Sequence, residues 1–424
     1  MKRKLLLVEL NEFNKDLLKL GAKKFKLKSI KRLLSMDLSM TKSENNKEHH
    51  GLDPWVQWVS IHTGNPLSKH NIKHLGDVEN LEIKQIWEEL GDNNLSSGIW
   101  GAMNAALKDT KCSCFFLPDP WTFSETAIPK KLNNFLSLPR YYAKNYISPS
   151  KKSLLLSFMN LIKFIISDLN FLYASKEIFY SIKIVLFNGI NNTILFSLFD
   201  LISHKIFLKY KKKYDPNLSI IFLNCLAHAQ HESWQRDRIN NDMKITLKIV
   251  DKILNNIFNE IDSKEALIVL NALGQKNVEG EEYCIYRQIN PKKFLNSMNI
   301  KFSRLEQCMT NESHVFFKKE DNMKDAYKTL KNAKIRNKYL FHVEYKKDSL
   351  GLFYQLNCTF KINEEDTFII KGQSFKFYKY FSLLCERTGS HVPHGELFFK
   401  NISLAETLYN HNLYDFILNY FLNK

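Results

Sequence analysis

Histidines spaced three residues apart occur twice in this chain, and imidazole is the side chain best suited to metal binding and to proton transfer near neutral pH. His228 and His231 lie in AHAQHESW, whereas His391 and His394 lie in GSHVPHG. Residues three apart share one face of a helix, so His228 and His231 can act on one ligand if their segment is helical. The plainer interpretation of each is a hydrogen-bonded surface or loop histidine.

Carboxylate and amide side chains accompany these histidines in two other segments. Glu9 and Asn11 lie at the end of the apolar run LLLVEL, and Asp53 and Gln57 lie in DPWVQW. Carboxylates and imidazoles together are the usual protein ligands of zinc. The competing interpretation of Asp53 is structural, because an Asp at the start of a turn often accepts hydrogen bonds from backbone N–H groups.

Three short apolar runs predict the strands that must position these side chains. They span residues 4–10, 218–224 and 266–273, and their unbroken hydrophobicity is typical of buried central strands. A Lys-rich helical stretch covers 14–35, and a helix at about 238–260 connects the second and third runs. The succession of strand, helix and strand predicts an α/β fold with a mostly parallel central sheet flanked by helices.

Residues 151–214 differ from the rest, because Leu, Ile and Phe recur there at helical spacing with lysines between them. We interpret this stretch as a helical insertion or cap of several amphipathic helices. Their apolar faces either pack on the main domain or make a peripheral contact with a membrane surface through 151–208. The flanking residues 1–150 and 215–424 would then form the two parts of the α/β core, with a smaller inserted region at about 280–385.

Two further stretches, residues 39–52 and 388–399, are predicted as loops from their polar and histidine-containing composition. A segment of about 18 uninterrupted apolar residues is not found, so we predict no transmembrane helix. The cysteine count, seven, is odd and gives neither a disulfide framework nor a CxxC metal site. We therefore expect a reducing, cytoplasmic compartment, with membrane association as the alternative.

The chain is strongly basic, with 61 Lys and Arg against 44 Asp and Glu and a formal net charge of +17. A charge of this size favours anionic partners, although a general abundance of lysine explains it equally. The basic residues are spread along the chain without a nucleic-acid-binding motif, so we expect no specific nucleic-acid partner. A hydrophobic content of 44% excludes wholesale disorder.

Several segments, in this order, resemble the type I phosphodiesterase/nucleotide pyrophosphatase branch of the alkaline phosphatase superfamily. They are LLLVELNEF, WVQWVSIHTGNPLSKHNI, IIFLNCLAHAQHESW, LIVLNALG and GSHVPHG. The resemblance implies an alkaline-phosphatase-like α/β fold in which these segments meet at the carboxyl ends of the strands. It also implies two metal ions, usually zinc, that activate a Thr or Ser nucleophile and neutralise a phosphoryl or sulfuryl group.

Most of the metal ligands that the resemblance implies are replaced in this chain. Asn11 stands at the opening Asp position, and Pro54, or Asp53 if the loop shifts by one, stands at the nucleophile. The remaining replacements are Ala227, Ala272 and Leu273, whereas His231 and His391 match expected ligands. Since Ala and Leu cannot bind metal, the usual site with two metal ions cannot assemble.

The polar residues left in these segments predict a rebuilt site with one divalent metal ion, zinc or manganese. The expected metal ligands are His231, His391 and Glu9, the expected catalytic residues are Asp53 and His228, and the expected substrate-binding residues are Asn11, Gln57 and His394. The nucleophile stays open between Asp53, Ser60 and a water molecule.

Two functions follow from this interpretation. The first is a hydrolase or transferase of phosphate or sulfate esters, similar to a phosphodiesterase. Its substrate would be an anionic phosphorylated or sulfated small molecule or glycan, possible sources being nucleotide-linked sugars and surface polysaccharide. The alternative is a catalytically inactive relative that binds a phosphorylated glycan, a lipid-linked sugar or a protein partner.

Overall fold

A computed structural model describes residues 3–43, 52–108, 112–145, 150–167, 170–308, 311–346 and 349–422. The strands are β1 Leu5–Leu10, β2 Asp37–Lys42, β3 Ser97–Trp100, β4 Ser113–Leu117, β5 Leu218–Leu223, β6 Ala266–Leu270, β7 Gly274–Asn277, β8 Cys284–Gln288, β9 Arg304–Gln307, β10 Glu312–Phe316, β11 Lys334–Ile335, β12 Lys338–Tyr339, β13 Phe341–Tyr345, β14 Gly351–Leu356, β15 Thr367–Ile370, β16 Gln373–Lys376, β17 Phe381–Glu386, β18 Gly389–Val392, β19 His394–Lys400 and β20 Thr407–Tyr409.

The α-helices are α1 Lys15–Phe25, α2 Lys28–Leu34, α3 Pro54–Thr63, α4 Leu67–His70, α5 Ile86–Asp92, α6 Leu132–Asn145, α7 Lys151–Ile166, α8 Asn170–Asn188, α9 Asn192–Tyr214, α10 Cys225–Ser233, α11 Asn241–Glu260, α12 Pro291–Ser297, α13 Glu320–Lys331 and α14 Asn412–Leu422. Short 3₁₀ helices cover Asp77–Asn80 and Phe377–Lys379.

The chain packs into two units. The first comprises residues 1–140, 155–279 and 389–424, and the second comprises 141–154 and 280–388. These units are defined by packing alone. The division into a two-part core, a helical insertion over 151–214 and a smaller insert over about 280–385 stays a proposal about domains.

An eight-stranded sheet, in the order β20-β2-β19-β6-β1-β5-β3-β4, organises the first unit. The strands β6, β1, β5, β3 and β4 run parallel, and β19 is antiparallel to both of its neighbours. This arrangement confirms the predicted mostly parallel sheet. The predicted runs at 4–10, 218–224 and 266–273 become β1, β5 and β6, although β6 ends at Leu270.

Helices cover both faces of this sheet, because β1 is buried throughout and its side chains alternate between two cores. Leu6 and Val8 pack with α9 and α11, whereas Leu5 and Leu7 pack with α3 and α14. The predicted helical stretch at 14–35 consists of α1 and α2, and Asn14 caps α1 by accepting a hydrogen bond from the Leu17 N–H.

Both predicted loops were wrong in part. Residues 37–42 form β2, and the remainder of the first loop from 44 to 51 lies outside the described residues. The second loop forms β18 and β19, which pair with β7 and with β2 and β6. These segments are strands because partners distant in sequence satisfy their backbone groups, and their own polar composition carries no sign of that pairing.

The second unit is built from small antiparallel sheets with their own apolar core. One sheet has the order β13-β14-β10-β9, a second has the order β12-β11-β15-β16, and β17 pairs with β8. Phe294, Phe341, Phe368 and Phe381 form the centre of this core.

Within the described residues, no single helix is long and apolar enough to cross a membrane. The bent pair α7 and α8 meets the length and composition requirements when the two helices are taken together.

Candidate metal centre

Three segments that leave the same edge of the sheet form the candidate site. The chain continues from the carboxyl end of β1 into Asn11 and Glu12, and from the end of β5 through Asn224 into α10. Glu12 has a φ of +54°, a left-handed conformation that turns its side chain away from the direction of β1. Ligands of α/β proteins gather at the carboxyl ends of parallel strands, so this edge is where a site is expected.

The third segment is the two-stranded ribbon of β7 and β18, whose antiparallel register pairs Gln275 with His391. The register places both side chains on one face of the ribbon. The ribbon lies against α10, because His231 approaches the backbone of Gly389.

Glu12, His231 and His391 converge on one point. The Nε2 atom of His231 lies 2.9 Å from Oε2 of Glu12, and the Nε2 atom of His391 lies 3.1 Å from the same oxygen. One ligand atom from each residue lies within 4.8 Å of the others. The Glu12 side chain is 3% exposed, so this carboxylate is buried between two imidazoles.

Gln275 and the backbone of Gly389 hold these side chains in place. The Gln275 amide donates to Oε2 of Glu12, and its nitrogen also lies 3.0 Å from Nε2 of His231. Nδ1 of His231 lies 3.1 Å from the Gly389 carbonyl oxygen and donates to it. In a neutral ring this contact keeps the proton on Nδ1 and leaves the lone pair on Nε2, which faces Glu12. Outer hydrogen bonds fix the tautomer of metal-binding histidines in the same way.

Electrostatics favours an ionised Glu12. Burial alone would raise its pKa, but the charges and hydrogen bonds of His391 and His231 hold the pKa of this carboxyl well below its usual range. Glu12 is therefore ionised, and a metal ion bound here would replace the Nε2 protons of the two imidazoles.

The donor set fits a divalent metal ion. Two imidazole nitrogens and one carboxylate oxygen suit zinc and leave further coordination positions open. Ligand atoms at tetrahedral angles around zinc lie roughly 3.3 Å apart. The separations of 2.9 and 3.1 Å from Glu12 are slightly shorter, so a small outward movement of the side chains admits the ion.

Asn11 supports this carboxylate from the side. Its Nδ2 donates to Oε1 of Glu12 at 2.9 Å and to Oδ1 of Asn224 at 2.8 Å, and its Oδ1 accepts from the Trp58 indole at 2.9 Å. Each polar atom of the buried Asn11 side chain is thus engaged within the protein. Asn11 therefore holds Glu12 and the turn after β5 in their orientations.

Glu9, predicted as a metal ligand, is placed on the other face of β1. Alternation puts it with Leu5 and Leu7, and its Oε1 lies 2.6 Å from Nε2 of His62 in α3. Both side chains are 0% exposed, and the His62 ring packs between Trp58 and Trp87. The carboxylate beside the two metal-site histidines is that of Glu12.

The other two predicted histidines do not join the cluster of Glu12, His231 and His391. His228 lies one turn before His231 in α10, and its ring stacks on Phe196 of α9 with centroids 3.6 Å apart. His394 is exposed at the start of β19, where its register partner is Lys42. His391 and His394 therefore belong to different strands, which Pro393 separates.

Asp53 and Gln57 lie at the start of α3. Asp53 is the residue before the first turn of this helix and is partly buried. Gln57 is buried and its Oε1 accepts a hydrogen bond of 2.6 Å from Asn410, which also donates to the Ala272 carbonyl. Gln57 thus ties α3 to the turn after β6 and to the C-terminal segment.

The Oγ atom of Ser60 and the Nε2 atom of His70 lie 3.1 Å apart, as in a nucleophile and its general base. The direction of their hydrogen bond is the reverse of the one that would activate Ser60. Nδ1 of His70 accepts from the Ile72 N–H, so the proton of the neutral ring lies on Nε2 and is donated to Ser60. Burial lowers the pKa of His70 to about 4. Ser60 in turn donates to the Val56 carbonyl, and its hydroxyl is not prepared for attack.

Sequence reasoning missed Glu12 and Gln275. Glu12 stands one position after Asn11, where the family resemblance placed an Asp, and Gln275 follows the replaced pair Ala272 and Leu273. The signal available was the acidic residue next to Asn11. Its left-handed backbone is what brings that residue to the site, and the sequence alone does not reveal this conformation.

Neither a protein-family model nor a curated protein matches this sequence. Several solved structures, in contrast, are similar to this chain. Human ectonucleotide pyrophosphatase/phosphodiesterase 5 is 13% identical over 99% of this chain and 95% of its own, with a TM-score of 0.47. Phosphonoacetate hydrolase from Sinorhizobium meliloti 1021 is 10% identical over 99% and 95%, with a TM-score of 0.45. A mutant of the alkaline phosphatase PafA is 11% identical over 97% and 95%, with a TM-score of 0.45.

The sequence motifs predicted a resemblance to the alkaline phosphatase superfamily, and alkaline phosphatases are among the solved structures to which the chain is similar.

Proposed function

We propose that Glu12, His231 and His391 bind one divalent metal ion, zinc or manganese, and that the chain hydrolyses or transfers a phosphate or sulfate ester at this ion. The observation that carries the proposal is the convergence of three ligand atoms within 4.8 Å at the carboxyl edge of the sheet. Two imidazoles and a carboxylate with open positions form a ligand set that catalytic zinc sites use.

A divalent ion in this position would polarise an ester oxygen and neutralise the charge on the transferred group. The residues of the chain hold the ligands for this task. Gln275 and Asn11 orient Glu12, and the Gly389 carbonyl orients His231. The net charge of +17 supports an anionic substrate, such as a phosphorylated small molecule. A glycan-linked or nucleotide-linked substrate and a cytoplasmic location remain predictions.

Asp53 and His228 stay the proposed catalytic residues. Among the proposed substrate contacts, exposure supports His394, because Asn11 and Gln57 are buried and already hydrogen-bonded. A water molecule is better supported as the nucleophile than Ser60, since the Ser60 hydroxyl donates to Val56 and accepts from His70.

The second candidate function is binding of a phosphorylated ligand without turnover. It is favoured by Pro54, which occupies the first turn of α3 where the family resemblance placed the nucleophile. Proline carries no nucleophilic side chain. In this case the metal ion would bind the ligand's phosphate and no ester bond would be cleaved.

Metal content of the untagged full chain, purified without chelator and measured by elemental mass spectrometry, tests the proposal. We expect about one equivalent of zinc or manganese, which is lost in Glu12→Gln, His231→Ala and His391→Ala. His342→Ala is the matched control, because His342 also contacts a carboxylate, that of Glu344, at 2.7 Å outside the proposed site.

Absence of metal in the wild-type chain, with no uptake on titration, would refute the metal centre. If metal is present, screening of phosphodiester, phosphomonoester and sulfate-ester substrates separates the two functions. Turnover that disappears with the metal in Glu12→Gln supports the enzyme. Binding of a phosphorylated ligand without turnover supports the second candidate.

A further inference from the structure

Helix α8 buries three polar side chains, those of Asn170, Glu177 and Ser181. Its buried positions are Asn170, Ala174, Glu177, Ser181 and Ile184, which recur at helical spacing along one face. A helix on the surface of a water-exposed protein shows the opposite pattern, with apolar residues inside and polar residues outside. The inward polar residues are satisfied within the first unit, where Asn256 donates to Glu177 and Lys209 donates to Asn170.

The outward surface of residues 155–190 is apolar, and we call it the apolar helix face. More than half of the large hydrophobic side chains that the described structure exposes belong to it. Leu186 is 76% exposed and Phe187 is 84% exposed, values far above those of a packed core. The other members are Leu155, Leu156, Phe158, Met159, Ile162, Ile166, Phe171, Leu172, Phe179, Ile182 and Ile190. An apolar surface of this extent indicates a site of contact with an apolar partner.

Among the described residues of the apolar helix face, the exposed charged side chains are basic. Lys163, Lys176 and Lys183 are exposed between the apolar side chains. In the described stretches 155–167 and 170–190, the acidic side chain is Glu177, which is buried and lies 3.7 Å from Lys252. Long lysine side chains can extend from a buried apolar stem to an anionic headgroup.

We propose that the apolar helix face docks on an anionic lipid bilayer, with α7 and α8 lying in the interface and the three lysines contacting lipid phosphates. Helices with large apolar side chains and interspersed lysines bind such surfaces through buried area and charge together. The pair α7 and α8 also has the length and composition of a membrane-inserted segment.

Charge favours a bilayer over a second copy of the chain as the occupant of this face. A symmetric dimer would bring the same face of two chains together, so that Lys163, Lys176 and Lys183 would meet a surface whose described charges are also lysines. Like charges opposed in an apolar interface are unfavourable. An anionic bilayer presents the opposite charge to every one of these lysines.

The apolar helix face and the proposed metal centre have no residue in common, so the two proposals rest on different side chains. A failure of one proposal therefore leaves the other standing. The connection between the two regions is structural: α9 follows α8, and its Phe196 stacks on His228 of α10.

Flotation of the full chain with vesicles tests the proposal. We expect binding to phosphatidylcholine vesicles that contain 30% phosphatidylglycerol, and binding at least about tenfold weaker to pure phosphatidylcholine or in 0.5 M NaCl. The variant Leu172→Gln/Phe179→Gln/Leu186→Gln/Phe187→Gln should lose at least about tenfold in vesicle affinity. Because these side chains are exposed, the substitutions should leave the fold intact.

Two further variants complete the experiment. Lys163→Glu/Lys176→Glu/Lys183→Glu should weaken binding to anionic vesicles by at least about tenfold and barely change binding to neutral ones. The matched control Leu20→Gln/Ile369→Gln, which changes exposed apolar residues elsewhere, should bind like the wild type.

No binding by the wild-type chain, or equal binding by wild type and the fourfold variant, would overturn the proposal. Light scattering without lipid identifies the competing occupant. A wild-type dimer that becomes monomeric in the fourfold variant, together with absent vesicle binding, would assign the face to self-association.

Discussion

The Gln275 amide lies beside both Glu12 and His231, donating to the carboxylate while its nitrogen stands 3.0 Å from the imidazole nitrogen. Gln275 comes from the ribbon, Glu12 from the end of β1 and His231 from α10, so one side chain couples all three segments. Its removal should therefore affect the geometry of the centre more than the stability of any one element.

Gln275→Leu should weaken metal binding by about 10- to 100-fold while leaving the three ligands in place. The reason is that Glu12 loses a donor that orients it. Competition with a chromogenic chelator measures the affinity. Gln307→Leu, which removes a glutamine that donates to a backbone carbonyl in the second unit, is the control and should leave the affinity unchanged.

Gly389→Ala should impair the same centre by a steric route. A Cβ at this position would lie 2.1 Å from Oε1 of Gln275 and 2.6 Å from the Gln230 carbonyl oxygen, so the ribbon or α10 must move. We expect destabilisation of about 1–3 kcal/mol in urea unfolding and weaker metal binding. Gly91→Ala, whose Cβ would lie at an ordinary 3.6 Å from Cβ of Cys112, separates these contacts from a general glycine effect. An unchanged metal affinity in Gly389→Ala would contradict the assigned geometry.

Glu9→Ala tests whether the buried pair with His62 is structural. It leaves His62 without its carboxylate partner in a fully buried position, so we expect destabilisation of about 3–5 kcal/mol. Metal content of the folded fraction should remain that of the wild type. Loss of metal at unchanged stability would instead restore Glu9 as a ligand.

Ser60→Ala tests the nucleophile. Since the Ser60 hydroxyl already donates to Val56 and accepts from His70, its removal should leave metal content unchanged and reduce any ester hydrolysis less than about threefold. The measurement is kcat on whichever ester the screen identifies. A loss of several orders of magnitude would make Ser60 the nucleophile.

Asp200→Asn should change how stability depends on pH. Burial raises the pKa of Asp200 to about 6 from its ordinary 3.8, although the N–H groups of Asn224 and Cys225 donate to it. Between these values the folded state holds more protons than the unfolded state, so this group lowers stability as pH rises from about 4 to about 6. Above pH 6 its cost is constant.

Asparagine does not titrate, so the variant does not lose stability at this position as the pH rises. Relative to the wild type, its free energy of unfolding should rise by about 3 kcal/mol between pH 4 and pH 7. Urea unfolding of both proteins across this range gives the difference, in which the other titrating groups cancel. A difference that is flat with pH would show that Asp200 titrates normally.

Much of the sheet was predictable because its central strands are buried on both faces. The continuous apolar runs of β1, β5 and β6 can therefore be recognised as strands in the sequence even when their partner strands are unknown. Strands β18 and β19 could not be recognised in this way, since their pairing with β7 and β2 depends on contacts distant in sequence.

For the candidate site, the sequence indicated His231 and His391 but placed the carboxylate at Glu9. The direction of a side chain at a strand end depends on one backbone angle. Glu9 follows the alternation of β1 onto the face of α3, and Glu12 reaches the histidines through its left-handed turn. A pattern of residue types contains neither piece of information.

The ribbon of β7 and β18 also makes the chain modular. Asn277 and Gly389 are register partners, and the second unit's residues 280–388 lie between them in sequence. The two strands of the ribbon thus lie at the two ends of a long intervening segment. The metal ligands and the groups that orient them come from outside this segment. A turn of a few residues that joins Asn277 to Gly389 would keep the ribbon register. We therefore expect that the stretch 280–388, the larger part of the second unit, can be shortened or lengthened while Glu12, His231 and His391 keep their places.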